Sequence, residues 1–112
     1  MRYSVEVTDS AFEAIRRHAR YIAVDCQSPL NAKKWLQKVF DEIDALEHLP
    51  ARHILAPEND FKTYEVRRAL VGNHFILFTI NEELSKVWII GFRHGSQLPR
   101  PNDLPDEPPT QI

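Results

Sequence analysis

The chain is poor in the residues on which most recognisable chemistry depends. Its 112 residues hold three glycines and one cysteine. Three scattered glycines leave no Gly-rich loop whose backbone N–H groups could cradle phosphates, and neither an HExxH motif nor a Cys/His cluster accompanies them. Nucleotide and metal chemistry are therefore not expected, and no cofactor is implied. Cys26, standing alone, closes no internal disulfide and fits a reducing, cytoplasmic setting. No apolar run approaches membrane-spanning length, and Met1–Glu6 lacks the apolar segment of a secretory leader. An excess of charge is also missing: 14 Lys and Arg stand against 16 Asp and Glu, and residues 1–96 carry 13 of each. A neutral folded part argues against electrostatic coating of DNA or a membrane. The length suits one domain with one modest core.

What the chain does have is a dense stretch of β-branched and aromatic residues over 63–95. Turn chemistry at Gly72-Asn73 and Glu82–Ser85 divides it into three expected strands, Thr63–Val71, His74–Asn81 and Lys86–His94. Upstream, Tyr3–Thr8 alternates as a short strand that should pair with an edge of this meander. Thr8, Asp9 and Ser10 can cap a helix over about 10–25, with Phe12, Ile15, Ala19, Ile22 and Ala23 at helical spacing. Ser28-Pro29 starts a second helix, with an apolar stripe of Ala32, Trp35, Leu36, Val39, Ile43 and Leu46, ending near Leu49-Pro50. The short connection predicts an antiparallel helical hairpin. The fold class read from this order is α+β, an N-terminal strand and a helical hairpin packed on a three-strand antiparallel meander.

Residues 50–62 read as a loop, and after residue 96 the composition changes. Pro99, Pro101, Pro105, Pro108 and Pro109 fall within eleven residues among Asp and Glu. The reading is a domain over 1–96 followed by a Pro-rich acidic tail, 97–112, extended or disordered.

Two groups of residues are candidates for function. In the hairpin, Lys33, Lys34 and Lys38 begin the second helix and lie near Arg16, Arg17 and Arg20 of the first, which makes the turn end basic. This is either a pair of solvated faces or a tip that binds an anion or acidic peptide, with Arg16, Arg20, Lys34 and Lys38 as contacts. In the meander, Glu65 and Arg67 share a strand face, and Arg93 and His94 end the last strand at Gly95. A carboxylate, arginines and a histidine in one cleft could cleave RNA without a metal, the Glu or His moving protons and an arginine stabilising the phosphorane. Ordinary charge pairing within a half-exposed sheet is the alternative. His18, His48, His53 and His74 are expected to be surface or structural.

The order of elements, Tyr64–Arg68, Phe75–Ile80 and the ending Phe92-Arg93-His94-Gly95 resemble the RelE/ParE superfamily of type II toxin–antitoxin toxins, in its ParE-like, plasmid-stabilisation branch. The resemblance covers about residues 3–96. It implies a growth-inhibiting toxin neutralised by a cognate antitoxin, acting either on ribosome-bound mRNA, as RelE-type members do, or on DNA gyrase, as ParE-type members do. Members similar to RelE carry an arginine at the position of Phe75 and a tyrosine in a C-terminal helix. Here that position is apolar, no tyrosine follows Tyr64, and prolines replace the helix.

Register decides which side chains share a face. A tight two-residue turn at Gly72-Asn73 puts Arg67 on the Phe78 face, whereas a bulged hairpin puts it beside Phe75. The bulged register is preferred, because it gathers Ile76, Phe78, Ile80 and Ile89 beneath the helices. The open face would then show Glu65, Arg67, Phe75, Leu77, Trp88, Ile90, Phe92 and His94. Phe75, Leu77, Trp88 and Phe92 on such a face suggest a protein-binding surface for an antitoxin or a second protomer, unless the tail covers it. The leading reading is thus a non-enzymatic toxin that binds a protein target. The alternatives are an mRNA interferase using Glu65, Arg67, Arg93 and His94, and a degenerate toxin fold kept as an interaction module.

Overall fold

The computed structural model describes residues 2–109; Met1 and the last three residues of the predicted tail lie outside the described residues. Strand β1 (Ser4–Val7) leads into helix α1 (Asp9–Arg20), which runs on as a π-helical turn, Tyr21–Asp25. Helix α2 (Pro29–Ala45) and two short 3-10 turns, Pro50–Arg52 and Pro57–Phe61, precede strands β2 (Arg67–Val71), β3 (His74–Asn81) and β4 (Lys86–His94). One sheet results, in the order β1-β4-β3-β2, with β1 parallel to β4 and the meander antiparallel.

Local chemistry accounts for the boundaries. The Thr8 hydroxyl accepts the Ala11 N–H at 3.3 Å and starts α1. Pro29 occupies the first turn of α2, where its missing N–H costs nothing. The α1 stripe is Ala11, Ile15 and Ala19, so Ile15 and Ala19 are buried as predicted, while Ala11 takes the place expected for Phe12, which is exposed. Strand β2 begins later than predicted. The Val66 N–H is taken by the Asn59 side chain at 2.9 Å and the Val66 carbonyl by the Ala56 N–H at 2.8 Å, which holds the chain before Arg67 against the 56–59 loop.

The register corrects the sequence expectation. Arg67 pairs with Phe78 and Val71 with His74, so the hairpin turns tightly through Gly72-Asn73. Of the two turn residues only Gly72 takes a positive φ, +57°, the conformation a type II′ hairpin asks of glycine at its first position. A bulge exists one hairpin later: Leu77 pairs with Gly91 and Phe78 with Ile89, leaving Ile90 as the extra residue of β4. That extra residue reverses the parity of everything after it. Ile89 faces the helices as predicted, and Val87 and Phe92 face them too, joining the core of Ile15, Val39, Ile43, Ile76 and Phe78. Phe92 and His94 therefore do not belong to the opposite face, and neither does Arg67.

That opposite face is covered. Leu77 and Ile90 form a second core with Ala56, Val66 and Leu104, flanked by Tyr64, Phe75 and Trp88. Leu104, from the Pro-rich segment, seats where β4 has no side chain: a Cβ on Gly91 would lie 2.6 Å from its Cδ2. The Lys62 ammonium donates to the Leu104 carbonyl at 3.2 Å and the Tyr64 hydroxyl to the Pro105 carbonyl at 2.5 Å. The segment thus lies along the sheet without needing strand pairing, which its prolines forbid.

Candidate functional site

The four residues proposed for acid–base and phosphate chemistry do not converge. Arg67 sits opposite Phe78 and His94 opposite His74, four residues apart along β3, or about 13 Å of strand. The Arg67 guanidinium donates to the His53 carbonyl at 2.6 Å and to Glu65 at 3.3 Å, tying the 50–56 loop to the sheet edge. Glu65 is exposed. Arg93 points to the tail side, where its Nε donates to Glu58 Oε2 at 2.6 Å and a terminal nitrogen to the Gln97 carbonyl at 3.2 Å. The side chains of this pair are only 9% and 1% exposed. With Arg67 and Arg93 so engaged, Glu65, Arg67, Arg93 and His94 do not together form a cationic surface for a scissile phosphate.

Of the apolar contacts expected on the open face, Leu77 is buried beneath Leu104, and Phe92 lies on the helix side. Phe75 and Trp88 remain half-buried. Both carry cations over their rings: Arg68 and Arg93 approach Phe75 at 4.6 and 5.2 Å, and Lys86 approaches Trp88 at 5.3 Å. This face is a closed cation–aromatic layer, not an exposed apolar patch.

In the hairpin, Arg16 pairs with Glu13 at 3.7 Å. None of the ion pairs among the described residues involves Arg17, Arg20, Lys33, Lys34 or Lys38. Beside these cations Tyr21, Val24 and Leu30 are exposed apolar side chains at the hairpin turn. The tip is basic around an apolar centre.

A cleft of about 550 Å³ opens between this tip and the sheet end, lined by Arg17, His18, Arg20, Tyr21, Phe92 and His94 among others. Its floor is a cluster of three imidazoles from three elements. The His74 ring lies 4.3 Å from that of His18 and 4.9 Å from that of His94, and stacks on Phe92 at 4.9 Å. Burial, reinforced by the two neighbouring histidines, pushes the His74 pKa down to about 4. Burial also lowers His18. Sequence reading missed this cluster because positions 18, 74 and 94 share no spacing. His74 beside Gly72-Asn73 and His94 at a strand end were the available signal, since antiparallel pairing brings such residues together.

A family model for the ParE toxin of type II toxin–antitoxin systems, parDE, matches residues 5–99. The chain belongs to the ParE toxin family. No curated protein matches it. Among solved structures, a chain of the archaeal RelE–RelB complex from Pyrococcus horikoshii OT3 is similar with a TM-score of 0.57 and 15% identity, over 88% of this chain and 100% of that one. At that identity the likeness is one of fold, and the α+β architecture of the ParE-family chain is shared with it. The family match ends at residue 99, so Leu104, which seats against Gly91, lies beyond the matched region. Among the described residues no group of three His, Cys, Asp or Glu side chains is arranged to hold a metal, and no helix is long and apolar enough to cross a membrane.

Proposed function

We propose that this ParE-family toxin acts by binding a protein target and is neutralised by a cognate antitoxin, without cleaving RNA. The observation that supports the reading is the engagement of its candidate cations: Arg93 with buried Glu58, and Arg67 with the His53 carbonyl. A phosphate would have to displace both internal partners, and the two arginines face opposite sides of the sheet. The basic hairpin tip, with Arg20, Lys34 and Lys38 outside the ion pairs among the described residues, is the surface that remains for a protein partner. DNA gyrase, the target the family resemblance implies, is the first to test.

The test is binding. The product of the neighbouring reading frame is titrated calorimetrically with the wild-type chain and with Arg20→Glu/Lys34→Glu, at two salt concentrations. Affinity should fall at least tenfold on charge reversal and should weaken with salt. Equal affinities would remove the tip as the antitoxin surface, and no binding at all would remove the antitoxin reading.

A further inference from the structure

The cleft above the three histidines has a donor arrangement that points to a second kind of ligand, beyond any protein partner. His94 Nδ1 lies 3.0 Å from the Ser96 backbone nitrogen and 2.7 Å from the Ser96 hydroxyl. A backbone N–H can only donate, so Nδ1 is the acceptor and the ring hydrogen of neutral His94 sits on Nε2. The tautomer is fixed by the turn that leaves β4, and the remaining ring nitrogen is a donor. Arg17 and Arg20 line the same cleft from α1, and neither enters an ion pair among the described residues. Their position in the last turn of α1 suits the helix dipole, which explains their place along the axis but not their convergence on a cleft.

Acceptors for these donors are scarce. Asp25 is the one carboxylate lining the cleft, while Arg93, which also borders it, is neutralised from the far side by Glu58. Burial favours the uncharged form of both His18 and His74, so the floor is aromatic and the rim cationic. The Tyr21 ring is about half exposed and stacks against His18 at 5.8 Å, adding a flat wall. The volume falls in the range, about 300–1,000 Å³, of small-molecule sites.

We propose that this cleft binds a phosphate group, its oxygens taken by Arg17, Arg20 and the Nε2–H of His94. The ligand class is an oxyanion with several acceptor atoms, because that matches two guanidinium forks and a fixed imidazole donor. The source is either free phosphate or the phosphate of a nucleotide, for which Tyr21 and His18 would supply the stacking surface.

The experiment follows the backbone amides of the full-length ¹⁵N-labelled chain at constant ionic strength, titrated with inorganic phosphate, with 5′-AMP and with adenosine. The Ser96 amide, whose hydrogen bond reports on His94, should shift saturably with phosphate and with AMP and stay still with adenosine. AMP binding at least tenfold tighter than phosphate would support the site with a nucleotide as its source; equal affinities would support it with free phosphate. Arg17→Ala/Arg20→Ala, two exposed changes that leave the core intact, should weaken either ligand at least tenfold. Shifts that fail to saturate, that spread equally to Lys33 and Lys34, or that survive the double substitution would overturn the proposal.

Discussion

Arg93 and Glu58 form a buried ion pair, 2.6 Å from Nε to Oε2, that joins the last strand to the loop before β2. Removing one partner leaves the other charge buried and alone. Glu58→Ala should therefore destabilise the fold by about 3–5 kcal/mol, and Glu58→Leu combined with Arg93→Met should recover most of that loss. Urea unfolding of these variants beside the wild type checks this. A loss below about 1 kcal/mol for Glu58→Ala would show that the pair is solvated.

Leu104 and Gly91 form a knob and a hole, and their energies should be coupled. Leu104→Ala should cost about 2–3 kcal/mol as a buried leucine. Gly91→Ala should cost about 1 kcal/mol or more, because its Cβ would meet Leu104 Cδ2 at 2.6 Å and Leu77 Cδ1 at 3.2 Å. In the double variant the second penalty should shrink, since the knob that the added methyl group would strike is gone. Additive costs would place Leu104 elsewhere. Truncation after Gln97 should likewise destabilise, by at least as much as Leu104→Ala.

His74 gives the fold a pH dependence whose sign is fixed by its depressed pKa. Folded, it holds its proton only below about 4; unfolded, it regains the ordinary value of 6.5. Its contribution is complete above pH 6.5 and is lost as pH falls from 6.5 towards 4, by at most about 3 kcal/mol. Around it stand Arg17, His18 and Arg20 from α1, Tyr21 and Asp25 from the π-helical turn, and Arg93 and His94 from β4, so charging it would also meet nearby cations. The difference in urea midpoint between wild type and His74→Phe, which keeps the stack on Phe92, should narrow or reverse over that window. A difference independent of pH would contradict the assignment.

Arg67→Ala and His94→Ala should leave toxicity unchanged if no RNA is cut. Arg67→Ala should still cost about 1.5–3 kcal/mol of stability through its bond to the His53 carbonyl. Growth arrest measured at matched protein levels checks the first statement. Loss of arrest in either soluble, folded variant would return these residues to the chemistry.

The elements and their order were legible because each carries a local signal: a capping Thr8, a Pro29 at a helix start, Gly72-Asn73 between β-rich runs. The helix-facing set Ile76, Phe78, Ile80 and Ile89 was legible for the same reason, by alternation. Faces beyond the bulge were not. One extra residue, Ile90, inverts the parity of Phe92 and His94, and no local signal distinguishes a bulge at position 90 from one near the first turn. The cover of the second face was illegible too, since Leu104 is one apolar residue in a run of prolines. Glu58 escaped notice because its partner is 35 residues away and its burial depends on both the loop and the tail.

Whether the chain binds a protein target or cuts RNA is decided most directly by expressing it alone under a tightly regulated promoter and comparing transcript integrity with plasmid topology after induction. The expected result is growth arrest with full-length transcripts and relaxed or cleaved DNA. Cleaved transcripts with unchanged topology would contradict the protein-binding reading, and so would the absence of any arrest.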